Sequence, residues 1–264
     1  MRSLLRLLCA LTMFGSASLS AAGGASPTPT FIALGDSITS DISAPGQMWP
    51  NHLARLRGWT LVSNAAVSGA TLSRGAGGQF PLVDSFRSSL PRGFGGHVIL
   101  LAGTNDYKLE KVLGRAGETD PNTVYGALLT IGRGILSGTR ATLHLCTPLW
   151  RGDAGQTEGT RRGSPAYTLQ DVRQAVRYTA KRLASEFPGR VQLLDSGADL
   201  WYTMQSPGLM APDRLHPTLA GQMAIAEYLA GHLWEGRGPR PTTAPTSGAG
   251  GVVPRTPSPT KPQP

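Results

Sequence analysis

The sequence predicts a parallel α/β sheet that carries its chemistry along one edge. Three observations predict it. Strand-like and helix-like segments alternate across residues 31–235. One strand candidate, H-V-I-L-L-A at 97–102, is almost wholly apolar, as a strand covered on both faces must be. Polar stretches punctuated by glycine follow the strand candidates, where open α/β sheets place their sites.

The elements follow in order. Residues 31–34 (F-I-A-L) form the first strand candidate. Trp49 and Pro50 open a short helix, with Leu53 and Leu56 expected on one face and Gly58 as its stop. Residues 60–62 form the second strand and 97–102 the third. Asp120 and Pro121 mark a helix start, followed by Val124, Leu128, Ile131 and Ile135 at helical spacing. Residues 141–146 form the fourth strand. Residues 168–187 form the clearest helix: Thr168 and Asp171 have capping-box spacing, and Leu169, Val172, Val176, Leu183 and Phe187 make a stripe. Residues 191–194 form the fifth strand. A last helix covers 219–233, with Leu219, Met223, Ala226 and Leu233 expected to face one way.

The flanks read differently. Arg2 and Arg6 give a positive start, residues 7–14 are mostly apolar, and small residues run to Ala22. This is the three-part pattern of a secretory signal peptide over 1–22, so a secreted, periplasmic or cell-envelope protein is expected. The apolar run is short for a bilayer span. Residues 23–30 form a short leader, and 236–264 form a Pro/Thr/Gly-rich tail with almost nothing to bury, expected to be disordered. Without the signal, Cys146 is the one cysteine left. Stability must then come from packing, and Cys146, inside an apolar run, reads as a buried structural thiol.

The net charge of +9 looks like an anion-binding signal, but its distribution weakens it. Arg2 and Arg6 lie in the signal, and Arg237, Arg240, Arg255 and Lys261 lie in the tail. Of 25 basic residues, 19 remain against 16 acidic ones, so the folded part carries only +3 and no nucleic-acid partner is expected. The basic tail is expected to make at most weak contact with an anionic envelope surface. A monomer is expected.

Four polar stretches carry the functional argument: Gly35-Asp36-Ser37 after the first strand, residues 64–69 (N-A-A-V-S-G) after the second, Gly103-Thr104-Asn105-Asp106 after the third, and residues 213–217 (D-R-L-H-P) beyond the fifth. A serine hydroxyl needs a base to become a nucleophile. Ser37 is the candidate nucleophile and His216 the candidate base. Asp213, three residues before His216, is placed to fix the imidazole tautomer and stabilise its cation. Acyl transfer builds an oxyanion that needs aimed donors; the Ser37 N–H, the Gly69 N–H and the Asn105 side-chain amide are candidates.

These four blocks, in this order, resemble the SGNH hydrolases, also called GDSL esterases and lipases. The first block reads G-D-S-I where the family name has G-D-S-L, a conservative change. The resemblance covers nearly all of 31–235. It implies a three-layer flavodoxin-like fold with a five-stranded parallel sheet of order 2-1-3-4-5, and a hydrolase acting on carboxylic esters. Family substrates include acetylated carbohydrates, lipids, lysophospholipids and thioesters. Short loops favour a small acyl group, so acetyl esters on a glycan are the expected substrate, with a lipase or lysophospholipase as the alternative. A catalytically silent glycan- or envelope-binding protein is the alternative of another class; intact Ser37, Asp213 and His216 argue against it.

Other residues have plainer readings. No G-x-S-x-G occurs, and no H-E-x-x-H or Cys/His cluster, so neither a nucleophile elbow of the ordinary α/β-hydrolase kind nor a metal or other cofactor is expected. His52, His97, His144 and His232 read as structural. Asp36 and Asp106 read as loop braces that accept backbone N–H groups. Asp195, at the end of the fifth strand, is a rival partner for His216. Trp150 and Trp201 are candidates to line the substrate face, with core packing as the alternative. Residues 151–164 read as a solvated loop, against the alternative of a flap whose Arg161 and Arg162 meet an acidic substrate.

Overall fold

The computed structural model describes residues 27–41, 44–75, 80–152 and 160–234. The signal segment, the first part of the leader, the C-terminal tail and residues 153–159 of the polar loop lie outside the described residues.

Five parallel strands make the sheet: β1 (Thr30–Gly35), β2 (Thr60–Asn64), β3 (His97–Leu101), β4 (Thr142–Cys146) and β5 (Val191–Leu194), in the order β2-β1-β3-β4-β5. This is the order implied by the resemblance. The chain runs outward from β1 in one direction, then crosses to β3 and continues the other way. The carboxyl end of β1 therefore lies beside the switch point, where such sheets bind ligands. Gly35, the last residue of β1, sits so close to its neighbour that an added Cβ would lie 2.5 Å from the Leu101 carbonyl oxygen. No larger residue fits just before Asp36 and Ser37.

Strand alternation divides the core into two clusters. Ile32, Leu34, Val98, Leu100, Leu143 and Leu145 face one side and pack under α4 (Val124–Gly138) and α5 (Leu169–Glu186). Phe31, Ala33, Ile99, Leu101, Cys146 and Leu194 face the other, under α1 (Trp49–Arg57) and α8 (Leu219–His232). Burial on both faces explains why β3 reads as an unbroken apolar run. Cys146 is buried, which pushes its thiol up and keeps it protonated.

Local signals set the helix ends. Both capping-box bonds join Thr168 and Asp171 at the start of α5, and Gly58 ends α1 in a left-handed conformation. Two expectations need correction. Helix α4 starts at Val124 rather than at Asp120-Pro121, because the Thr123 hydroxyl caps it by accepting from Gly126 N, while Asp120 Oδ1 accepts from Asn122 N in the preceding turn. The buried faces of α1 and α8 are also rotated from expectation. Leu53 is buried, but Leu56, Leu219 and Met223 are 54%, 50% and 44% exposed. Ala226 and Leu233 are buried as expected, and the buried face of α8 is completed by Gly221, Gln222, Ile225 and Leu229.

Short helices without a readable period fill several connections: α2 (Leu82–Ser85), α3 (Thr104–Lys108), α6 (Ser196–Asp199) and α7 (Trp201–Gln205). Of these, α3 bears most directly on the site, because it carries Asn105 and Asp106.

Candidate active site

Ser37 lies in the turn after β1, where Asp36 O accepts from the N–H groups of Thr39 and Ser40. The buried Gln222 of α8 holds this turn: its amide donates to Ile38 O at 3.1 Å, and its carbonyl accepts from Trp49 N at 2.9 Å. The same helix begins three residues after His216, so Gln222 ties the Ser37 turn to the His216 segment.

The His216 segment is a tight loop folded onto residues 208–211. Ala211 N donates to His216 O, Thr218 N donates to Leu209 O, and Arg214 N donates to Ala211 O. Asp213 sits inside it with both carboxylate oxygens assigned. Oδ1 accepts from the N–H groups of Leu215 and His216, each at 3.0 Å, and Oδ2 faces His216 Nδ1 at 2.6 Å. His216 Nε2 lies 2.9 Å from Ser37 Oγ. Burial alone would raise the Asp213 carboxyl, but the bonds from the His216 ring and from the two backbone N–H groups bring it below its ordinary value. An ionised Asp213 accepts from Nδ1–H, which leaves Nε2 as the acceptor for the Ser37 hydroxyl.

The loops after β2 and β3 emerge at the same carboxyl edge of the sheet as the Ser37 turn. Gly69 has φ 79°, a left-handed conformation that favours glycine. Asn105 Nδ2 donates to Ala70 O at 2.9 Å, which fixes the amide beside the Gly69 loop and leaves its second N–H for another acceptor. Among the described residues, neither Ser37 N nor Gly69 N donates to a protein acceptor. Asp106 ties α3 to the same loop by accepting from Leu72 N at 2.7 Å, Ser73 N at 3.0 Å and Ser73 Oγ at 2.8 Å. Asp36 Oδ1 accepts from Ile38 N at 3.0 Å. Burial raises both carboxyls, Asp36 to about 7, against the pull of these hydrogen bonds. Both serve as braces.

The remaining candidates separate. Asp195 is bound by Arg177 and Thr147 and does not reach His216. His97 and His144 are buried and His52 and His232 bond locally, all four away from Ser37. Trp150 is nearly buried and lines a cavity of about 260 Å³ with Met204, Met210, Ala211 and Arg214, next to the His216 loop. Trp201 packs against the core cluster under α8 and is not among the residues lining that cavity. Arg162 pairs with Glu110 at 2.8 Å and Arg161 donates to Ala166 O, so neither is held for a substrate. Arg151 departs from the solvated-loop reading: it is fully buried and donates to Thr104 O at 2.9 Å and Thr104 Oγ1 at 3.0 Å, bracing the residue before Asn105. Gln222, Arg151 and Arg214 are the residues that sequence reasoning missed. Only Gln222 left a trace, as a polar residue between apolar ones in α8. Among the described residues, no group of three or more His, Cys, Asp or Glu is placed to hold a metal ion.

A serine, an imidazole and a carboxylate in a hydrogen-bonded line suit acyl transfer. The pattern of GDSL-like lipases and acylhydrolases fits residues 33–224, which include every residue of that line. The chain belongs to the GDSL-like lipase/acylhydrolase family. It is an ester-bond hydrolase, which sets aside the silent binding protein. Solved structures of the GDSL fold agree in architecture. A protein from Lactobacillus plantarum is 20% identical with a TM-score of 0.60, the match covering 78% of this chain and 99% of that one. A lipolytic G-D-S-L family member from Veillonella parvula is 17% identical with a TM-score of 0.53, covering 77% and 97%. The acetylxylan esterase Axe2 from Geobacillus stearothermophilus is 19% identical with a TM-score of 0.50, covering 76% and 92%. No curated protein matches the sequence.

Proposed function

We propose that the protein is a secreted serine esterase that removes small acyl groups, acetyl above all, from a carbohydrate. The observation that carries this reading is the line Ser37 Oγ, His216 Nε2, His216 Nδ1, Asp213 Oδ2, with contacts of 2.9 and 2.6 Å. Ser37 gives its proton to His216 and attacks the ester carbonyl. The N–H groups of Ser37 and Gly69 and the free N–H of Asn105 receive the oxyanion. His216 then returns the proton to the departing alcohol, and water, activated by the same imidazole, cleaves the acyl-enzyme. Asp213 orients the ring and stabilises its cation. The protein acts as a monomer and its chemistry needs no cofactor.

One observation supports a small acyl group: a solved relative of the same fold is an acetylxylan esterase. Secretion is supported by the charged, apolar and small-residue order of residues 1–22; a mature N-terminus at Gly23, read by mass spectrometry, is the expected result.

The test is hydrolysis of p-nitrophenyl esters from acetyl to long-chain by the protein and its Ser37→Ala variant. The expected outcome is activity strongest on acetyl and lost in the variant at unchanged fold. Retained hydrolysis in Ser37→Ala sinks the mechanism, and strongest activity on long chains replaces the acetyl reading with a lipase.

A further inference from the structure

We propose that Arg214, held over Trp150, receives a negative charge carried by the alcohol half of the substrate. The inference rests on the proposed reading of His216 as the group that returns a proton to the leaving alcohol. That alcohol leaves on the His216 side, and the cavity whose lining residues Met210, Ala211 and Arg214 belong to the His216 loop is the place assigned to it. The cavity of about 260 Å³ is lined by residues of that loop, Met210, Ala211 and Arg214, and by Trp150 and Met204. Among the described residues, Arg214 is the only charged one lining it.

Arg214 is not an ordinary surface arginine. Its φ of 55° is a left-handed conformation that a bulky side chain adopts only when its surroundings impose it. Its guanidinium carbon lies 5.3 Å from the centroid of the Trp150 ring. Gly152 makes this arrangement possible. Its N–H donates to Arg214 O at 2.9 Å, and a Cβ there would lie 2.4 Å from the Trp150 ring and 2.9 Å from Arg214 Nη2. Among the described residues, the Arg214 guanidinium makes no hydrogen bond or ion pair, and the adjacent Asp213 carboxylate is committed to His216 and Leu215. A cation braced on an indole, with its donors unspent, beside a cavity with no carboxylate among its described lining residues, is built for an anion. A guanidinium over a ring face keeps its in-plane donors clear for a carboxylate or a phosphate. The contact is made to a part of the substrate that does not react. It therefore lowers KM and leaves kcat nearly alone.

The experiment uses three acetates of one methyl glucoside that differ only at position 6: the neutral hydroxyl, the carboxylate and the phosphate. The expected result is a KM for at least one charged acetate on the order of tenfold below that of the neutral one. Arg214→Gln erases the difference, and Arg214→Lys restores part of it. Preference for the carboxylate or for the phosphate identifies the source of the charge. Added salt must shrink the wild-type preference, a readout that holds even if a variant fails to fold. Equal KM values, or a preference that survives Arg214→Gln or ignores salt, overturn the inference. If no sugar acetate is cleaved while phenyl acetate is, the carbohydrate reading fails by itself. The role of Arg214 is then decided by 4-acetoxybenzoate against 4-acetoxybenzamide, where equal KM values overturn it and a lower KM for the benzoate that Arg214→Gln removes upholds it.

Discussion

The molecule contains two histidine-centred hydrogen-bond chains, and they differ in almost everything except geometry. At the carboxyl edge of the sheet, His216 sits between Ser37 Oγ at 2.9 Å and Asp213 Oδ2 at 2.6 Å. In the core under α1 and α8, His144 sits between His97 Nδ1 at 2.9 Å and Gln192 Oε1 at 2.8 Å. In both, each ring nitrogen has one partner at normal distance. The first ring is 41% exposed and backed by a carboxylate. The second is buried and backed by a neutral amide, and His97 is stacked on Trp59. Burial lowers His97 to about 4 and His144 to about 3, so both rings stay neutral. The Gln192 carbonyl accepts from His144 Nδ1–H, so His144 Nε2 accepts from His97 Nδ1–H. Hydrogen bonds orient a histidine; access and a negative partner let it carry a proton.

The largest expected effect separates the two chains by function. His216→Ala lowers kcat on the order of 10⁴–10⁶-fold and leaves the unfolding midpoint nearly unchanged. His144→Ala does the reverse, costing about 2–4 kcal/mol of stability with kcat within a few fold, because it opens a cavity and strands two partners. Loss of turnover in a folded His144→Ala protein breaks the comparison. Next comes the segment after β3: Asn105→Ala is expected to lower kcat about 10²–10³-fold with little change in KM, as measured on an acetyl ester.

The last contrast leaves turnover aside and lies in the pH dependence of stability, measured by denaturant melts from pH 4 to 8. The unfolded chain protonates His97 and His144 near pH 6.5 and the folded chain only near 4 and 3, so the unfolded state binds more protons in between. Their contribution is complete above about pH 6.5 and is lost as pH falls, by up to about 1.4 kcal/mol per unit for each ring. Asp36 has the opposite sign. Its folded value of about 7 lies above the unfolded one, so its contribution is present near pH 4 and is lost as pH rises through 7. Relative to wild type, Asp36→Asn therefore gains stability toward neutral pH and His144→Asn gains it toward acid. Parallel curves for both variants would remove the contrast.

Much of this fold was legible because its signals are local. β3 reads as buried because every residue of it is, and α5 announces itself through Thr168 and Asp171. The four polar blocks carry the candidate site because each follows a strand or belongs to the His216 loop. What could not be read depends on distant packing. Leu219 and Met223 look like a core face, but Gln222 takes the inward place because Ile38 O and Trp49 N need a partner there. Arg151 reads as a loop cation and is instead buried under Thr104, since only the folded chain brings α3 within reach. Arg214 looks like a spacer between Asp213 and His216. Neither its left-handed backbone nor its seat on Trp150 leaves a mark in the sequence.

Ser37 and His216 are 179 residues apart, one following the first strand and the other just before the last helix. A nascent chain therefore holds the proposed nucleophile early and lacks the proposed base until the domain is almost complete. No half-made molecule can cleave an ester by this route. Recovery of esterase activity during refolding consequently reports the arrival of the last helix rather than the first collapse of the sheet.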